Sequence, residues 1–174
     1  MKVFYPGSFD PIHSGHLHII ERCLGLFKNI TIGIGYNSSK KGFIPVEDRI
    51  ELIKESLKHY TPEDKDSIVK VISYKDKPTA IAATELGCDL IIRGVRNISD
   101  IESESVIANV NRSISGIETL FFPCSPNYLY HSSSIVRELY NIKSYKAMTD
   151  FIPSNVYKYL ISSCKSPLIR RDYP

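Results

Sequence analysis

Tryptophan is absent from the 174 residues of this sequence, and cysteine occurs only four times. Cys23, Cys88, Cys124 and Cys164 lie far apart, with no CxxC pair and no metal-ligand spacing. We therefore expect them to be small buried apolar residues in a reducing compartment, and we expect no zinc site.

Apolar runs long enough to cross a bilayer are also missing, and no basic stretch followed by an apolar signal region opens the sequence. We therefore expect a cytoplasmic protein without a membrane partner. The formal net charge is only +3 and the pI is about 8.6. This small excess of basic residues does not favour nucleic-acid binding.

Three widespread enzyme signatures do not occur. The sequence has no GxxxxGK[ST] loop, and no GxGxxG motif follows a strand, which disfavours the common ATPases and dinucleotide-binding proteins. There is no GxSxG elbow, so serine-based acyl chemistry has no support.

What the sequence does contain is a regular alternation of short apolar runs with segments of helical period. This alternation predicts an α/β protein with a doubly wound, five-stranded parallel sheet covered on both faces by helices. The predicted strands are 2–5, 30–36, 68–74, 89–92 and 119–122, and the predicted helices are 15–27, 46–59, 79–86, 101–113, 134–140 and 155–163. We expect one domain at 1–165, with a polar linker at 61–66 and a loose tail at 166–174.

The segment from Tyr5 to His16 follows the first strand and leads into the first helix. Its glycines allow a ligand to approach the backbone, and the free amides of the first helical turn attract anions such as phosphate. His13 and His16 lie at this helix start, and their spacing without acidic neighbours favours phosphate contact over a metal pair. Asp10 has two interpretations, as a turn residue or as part of a nucleotide pocket.

Further basic and hydroxyl side chains follow other predicted strands. Arg93 and Arg96 flank Gly94 after the fourth strand, where two guanidinium groups can clamp phosphate oxygens. Lys40 and Lys41 follow the second strand and could neutralise developing charge. Ser132-Ser133-Ser134 precedes an apolar helical pattern and predicts a helix start that holds a phosphate chain. Each of these also has an ordinary interpretation as a solvated loop.

Five motifs occur in order along the chain. They are Pro6-Gly7-Ser8-Phe9-Asp10-Pro11, Ser14-Gly15-His16, Ser39-Lys40-Lys41, Ile92-Arg93-Gly94-Val95-Arg96 and Ser132-Ser133-Ser134-Ile135-Val136-Arg137. Taken together, these motifs resemble those of the bacterial phosphopantetheine adenylyltransferases. The HxGH type of motif, here with His13 where many relatives carry Thr, indicates only the nucleotidyltransferase superfamily. The ordered combination with RGxR and SSSxxR is much more specific.

The resemblance implies a Rossmann-like nucleotidyltransferase fold and transfer of an adenylyl group from ATP to 4'-phosphopantetheine. Dephospho-coenzyme A and pyrophosphate would be the products, magnesium would be present, and the acceptor phosphate would attack in line without a covalent intermediate. It further implies a homohexamer and feedback binding of coenzyme A.

The resemblance also implies roles for individual residues. His16, Lys40 and Arg93 correspond to the catalytic positions, and Lys40 and Arg93 would hold the acceptor. The implied nucleotide contacts are Ser8, Phe9, His16, Gly94, Val95, Arg96, Glu104, Tyr128, Leu129, Tyr130, His131, Ser132, Ser133 and Ser134. The implied substrate contacts are Ser8, Lys40, Thr79, Arg93 and Glu104.

Two other functions stay open at this point. One is a related adenylyl- or cytidylyltransferase that uses another phosphate acceptor, such as nicotinamide mononucleotide. The other is a nucleotide-sensing module without turnover, which the presence of His16, Lys40, Arg93 and Arg96 disfavours, because binding alone does not require all four.

Overall fold

The computed structural model describes residues 1–58 and 68–163. The predicted linker at 61–66, the tail at 166–174, Cys164 and the predicted helix end at His59 lie outside the described residues. The strands are β1 (Lys2–Gly7), β2 (Asn29–Tyr36), β3 (Ile68–Lys75), β4 (Leu90–Val95) and β5 (Glu118–Pro123). The α-helices are α1 (Ser14–Leu24), α2 (Val46–Leu57), α3 (Thr79–Glu85), α4 (Ile98–Ser115), α5 (Ser133–Asn141), α6 (Tyr145–Met148) and α7 (Ser154–Ser163).

All four strand pairs are parallel, and the order across the sheet is β3-β2-β1-β4-β5. The order therefore reverses between β1 and β4. These two strands pair through Val3 with Leu90 and Phe4 with Ile91, whereas β1 pairs with β2 from Lys2 to Gly7. In open α/β sheets, ligands bind in the crevice at the carboxyl ends of the two strands that flank such a reversal.

Helices cover both faces of the sheet. Successive strand residues point to opposite sides, so apolar strand residues form a core on each face. Val3 and Tyr5 point into a large core formed with α1, α2, α5 and α7, whereas Phe4 points into a smaller core that includes Ala80 and Ala83 of α3. The strands are buried on both faces at the centre, as their near-continuous apolar sequences require. This arrangement confirms the predicted doubly wound parallel sheet.

The fourth strand and the fourth helix are longer than predicted. Arg93, Gly94 and Val95 belong to β4 and pair with β5, so the prediction that the arginine motif begins after the strand was wrong. A charged residue can occupy this strand because its guanidinium is paired, as described below. The predicted helix at 101–113 begins at Ile98, since the Asn97 side chain accepts a hydrogen bond from the Asp100 amide, 2.8 Å away.

The remaining differences are local. Helix α1 ends at Leu24 instead of 27, with Gly25 at its C-cap. Helix α6 and a 3₁₀ turn at Pro126–Tyr128 were not predicted, because segments this short show no helical period. Cys23 and Cys88 are buried as expected, whereas Cys124 is half-buried, since it follows β5 at the rim of the sheet.

Candidate functional site

Two cavities open at the carboxyl ends of β1 and β4. The inner cavity, about 280 Å³, lies over the start of α1 and extends to α5. The outer cavity, about 670 Å³, lies over the ends of β2 and β3 and the start of α3. Both are lined by Pro6, Gly7, Ser8 and Arg93, which form a common wall. Two ligands bound in these cavities would therefore meet beside Arg93.

His16 lies on the first turn of α1 and lines the inner cavity. Burial, with Arg93 and Arg96 nearby, lowers the pKa of His16 to about 3, so its imidazole is neutral at physiological pH. The His13 backbone N–H donates to Nδ1 of His16 at 3.3 Å. Since Nδ1 accepts, Nε2 carries the proton. His16 is thus a neutral hydrogen-bond donor.

Two other histidines, His13 and His131, line the same cavity. The His13 ring stacks on His16 with a centroid separation of 3.7 Å. Burial is the main cause of the lowered pKa of both side chains, and His16, His131 and Arg96 add to the effect at His13. Among the described residues, neither Nδ1 atom has a hydrogen-bond partner. Both nitrogens are also buried in this structure.

Arg93 and Arg96 each pair with a carboxylate of α4. Arg93 Nε and Nη2 donate to Glu104 at 2.7 and 2.5 Å, and Arg96 Nε donates to Asp100 at 2.8 Å. The Arg96 guanidinium lowers the pKa of the Asp100 carboxyl. Both arginines of the predicted phosphate clamp line the inner cavity, and in this structure each guanidinium is held by a carboxylate whose side chain is 15 to 23 % exposed. These pairs fix the directions in which the arginines face the cavities.

The predicted serine-rich helix start is formed at α5. Ser132 caps the helix by accepting a hydrogen bond from the Ile135 amide at 3.2 Å, and Ser133 Oγ donates to the Pro11 carbonyl at 2.8 Å. Ser132 and Ser133 line the inner cavity. Ser134 instead accepts from Arg137 Nη2 at 3.1 Å on the exposed side.

Several sequence-predicted residues line neither cavity. Phe9 and Val95 are 1 % and 4 % exposed and support the cavity from below. Tyr128 stacks on His18, with ring centroids 4.6 Å apart, and contacts His131 edge-on. Lys40 lies in the exposed turn after β2. Leu129 and Tyr130 are exposed at 37 % and 76 %.

The outer cavity contains one predicted residue besides the common wall, Thr79, whose Oγ1 lies 3.0 Å from the Tyr74 hydroxyl. Its other polar lining comes from Asn37, Asp76 and Lys77, which were not predicted. For Asp76 and Lys77 the signal was the polar run that follows the third strand, at the same rim as the other motifs. Asp100 was also missed, because the predicted fourth helix began after it.

The described residues contain no group of three or more His, Cys, Asp or Glu side chains that could hold a metal ion. The two acidic residues of the inner cavity, Asp100 and Glu104, are engaged by arginines. No helix within 1–58 and 68–163 is long and apolar enough to cross a membrane.

Comparison with known proteins gives concordant results. The family model described as cytidylyltransferase-like matches residues 4–139. A phosphopantetheine adenylyltransferase of Finegoldia magna is 40% identical over 157 residues, which is 89% of this chain and 91% of that protein. The phosphopantetheine adenylyltransferase of Flavobacterium psychrophilum is 45% identical over 138 residues, or 79% of this chain and 87% of that protein.

Two solved structures share the fold at low sequence identity. Thermotoga maritima TmcAL bound with alpha-thio ATP has a TM-score of 0.69 and 12% identity, over 97% of this chain and 57% of that chain. Plasmodium falciparum nicotinic acid mononucleotide adenylyltransferase complexed with NaAD has a TM-score of 0.61 and 16% identity, over 93% of this chain and 96% of that chain.

Proposed function

Since this chain belongs to the cytidylyltransferase-like family, and within it to the phosphopantetheine adenylyltransferases, we propose that it transfers the adenylyl group of ATP to 4'-phosphopantetheine. The products are dephospho-coenzyme A and pyrophosphate. This is the penultimate step of coenzyme A biosynthesis, and the protein is a nucleotidyltransferase.

The observation that carries this proposal is the common wall of the two cavities. Transfer between two bound substrates requires the attacking phosphate and the α-phosphorus to be adjacent and in line. ATP bound in the inner cavity and 4'-phosphopantetheine in the outer one would bring their phosphates together at Ser8 and Arg93. The acceptor oxygen then forms a bond to the α-phosphorus as the bond to pyrophosphate breaks, so no protein nucleophile is needed.

His16 would donate its Nε2 hydrogen to an oxygen of the α-phosphate, where charge develops in the transition state. Arg96, Ser132, Ser133 and the amides at the start of α5 would hold the β- and γ-phosphates. Ser8, Phe9, Gly94, Val95 and the 128–134 segment would contribute the other nucleotide contacts, partly through backbone groups.

For the acceptor, Arg93 would bind the phosphate while keeping its bond to Glu104, and Thr79 would contact the pantetheine arm. Lys40 lies in an exposed turn, from which its long side chain would close over the acceptor phosphate. Magnesium would enter with ATP, held by phosphate oxygens and water, because the described carboxylates of the inner cavity are occupied by arginines.

We also propose a homohexamer, a cytoplasmic location and feedback binding of coenzyme A. Support for self-association comes from α4, which exposes Ile98, Val106 and Val110 at 75, 65 and 51 % and has Asn111 as its one buried residue. Contiguous exposed apolar surface of this kind marks interaction sites.

The test is pyrophosphate release by the purified protein with ATP and magnesium, using an acceptor panel. We expect release with 4'-phosphopantetheine. Release only with nicotinamide mononucleotide would instead identify a related transferase with another acceptor. ATP binding without turnover on any acceptor would identify a nucleotide-sensing module.

A further inference from the structure

A buried ion pair lies beneath the turn that joins β1 to α1, outside the contacts assigned to the substrates above. Asp10 and Arg49 are 6 % and 5 % exposed, and Arg49 Nη2 lies 3.2 Å from Asp10 Oδ2. Asp10 follows Phe9 in the turn, whereas Arg49 comes from α2. Burying a charged pair is costly unless its remaining hydrogen-bonding capacity is satisfied, so its contacts are informative.

Among the described residues, the guanidinium of Arg49 contacts three acceptors, two in the turn after β1 and one just before α2. Nη1 donates to the Ser8 carbonyl at 3.1 Å, and Nε donates to the Ile44 carbonyl at 2.7 Å. Together with the Asp10 contact, these bonds tie α2 to the turn that forms the common wall of the cavities. A lysine at this position would carry the same charge but could not reach all three acceptors from one nitrogen.

Asp10 in turn fixes the segment that follows Lys40. Its two carboxylate oxygens accept hydrogen bonds from the Phe43 and Ile44 amides, each at 2.8 Å. The backbone of Gly42 runs directly over the pair, since a Cβ placed on Gly42 would lie 1.6 Å from Arg49 Nη2. The loop that carries Lys40 and the turn that carries Ser8 are thus held by one pair of side chains.

The turn itself needs support. Phe9 has a φ of 45°, a backbone conformation that side chains larger than glycine rarely adopt. Its ring lies 4.8 Å from that of His16 and 5.5 Å from that of Tyr5, measured between centroids. A displacement of the turn would therefore move the surface against which His16 packs. Small displacements of this kind are costly for transfer chemistry.

We propose that Arg49 is a positioning residue for adenylyl transfer, which holds the Ser8–Asp10 turn against His16 and fixes the Lys40 loop to it. Arg49 lines neither of the two cavities and acts through Ser8, Asp10 and Ile44. The inference rests on the proposed function, because it assigns the turn and His16 to the transfer step.

The test compares Arg49→Lys with Gly42→Ala. Arg49→Lys keeps the positive charge but loses the planar guanidinium that contacts three acceptors. Gly42→Ala keeps every polar group and displaces the guanidinium. We expect kcat per folded molecule to fall at least about tenfold in both variants, while the Kd for ATP changes by less than about threefold, because the turn matters most in the transition state. Amide exchange at Phe43 and Ile44 should become faster in both.

Arg22→Lys and Gly25→Ala are the matched controls. Arg22 donates to the Pro123 carbonyl away from the turn, and a Cβ on Gly25 would meet its nearest atom at 3.5 Å. Both controls should keep wild-type kcat. Thermal unfolding of all four variants separates positioning from a purely structural role, which would lower Tm and leave kcat per folded molecule unchanged.

Wild-type kcat in either folded test variant, or unchanged amide exchange at Phe43 and Ile44, would overturn the proposal. If Arg49→Lys does not fold, Gly42→Ala decides by the same measurements. If the wild-type protein does not turn over 4'-phosphopantetheine, the proposed function fails, and the exchange rates alone then test whether Arg49 holds the turn.

Discussion

The protonation state of His16 limits what this residue can do in adenylyl transfer. A pKa of about 3 means that the imidazole is neutral at every pH at which the protein would work, and the His13 amide selects the tautomer with a proton on Nε2. Such a group stabilises charge as a hydrogen-bond donor. Supplying that hydrogen bond requires no change of its protonation state.

Replacing His16 with alanine should therefore slow the chemical step and leave ATP binding largely intact. We expect kcat to fall about 10²- to 10³-fold, as for other donors to developing charge, with the Kd for ATP within a few-fold of wild type. Rapid-quench and equilibrium binding measurements separate these effects, and Arg22→Lys again serves as the control. Unchanged kcat in His16→Ala would exclude the role.

The lowered pKa values of His13 and His131 predict that ATP binding takes up protons. Burial lowers the pKa of both groups in the free protein, and at His13 the neighbouring His16, His131 and Arg96 lower it further. A bound triphosphate would raise the pKa of both groups again. Because the pKa would be higher in the complex, affinity for ATP should increase as the pH falls from 8 towards 6.

Calorimetry in buffers of different ionisation enthalpy measures this uptake directly. Substituting His13→Thr and His131→Phe together should abolish most of it, whereas Arg22→Lys should not change it. Net proton release on ATP binding would contradict the prediction.

At the scale of single elements, hydrophobic period and β-branched runs were sufficient to predict five strands and six helices to within a few residues. The boundaries that failed depend on tertiary contacts. β4 continues through Arg93 because Glu104 and the Pro6 carbonyl satisfy the guanidinium, which no local pattern reveals. The motifs on strand ends were predictable because the sheet brings those ends together, whereas Tyr74 and Asn37 carry no signature of their own.

Helix α4 connects the site with the exposed surface. Its first turns carry Asp100 and Glu104 towards the arginines, while Val106, Val110 and Ile114 are exposed. Substituting Val106→Glu with Val110→Glu should therefore dissociate the proposed hexamer, because burying two carboxylates in an apolar interface is unfavourable.

Sedimentation velocity measures this change, with Leu26→Glu as a control at an exposed residue outside α4. The control should keep the assembly of the wild type. A wild-type protein that is monomeric at micromolar concentration would show the hexamer proposal to be wrong.

At the scale of the whole molecule, the two cavities should each accept one half of the product. Dephospho-coenzyme A contains both an adenylyl and a pantetheine part, so it should span the common wall at Ser8 and Arg93. Coenzyme A shares both parts, which is the basis for the proposed feedback binding.

Both compounds should therefore be competitive inhibitors with respect to ATP and with respect to 4'-phosphopantetheine. Initial-rate measurements at varied concentrations of each substrate give the pattern. Competition with only one substrate would mean that the compound occupies only one cavity.

Beyond the point at which their main chains separate, β1 and β4 are linked by a side chain. The two strands pair at Val3 and Phe4. Beyond these residues the Arg93 side chain donates a hydrogen bond to the Pro6 carbonyl at 2.8 Å, so a side chain links the strands where main-chain pairing would otherwise continue. The cleft thus lies where the two strands separate, and Arg93, the side chain that links them across it, is also one that the proposed substrates need.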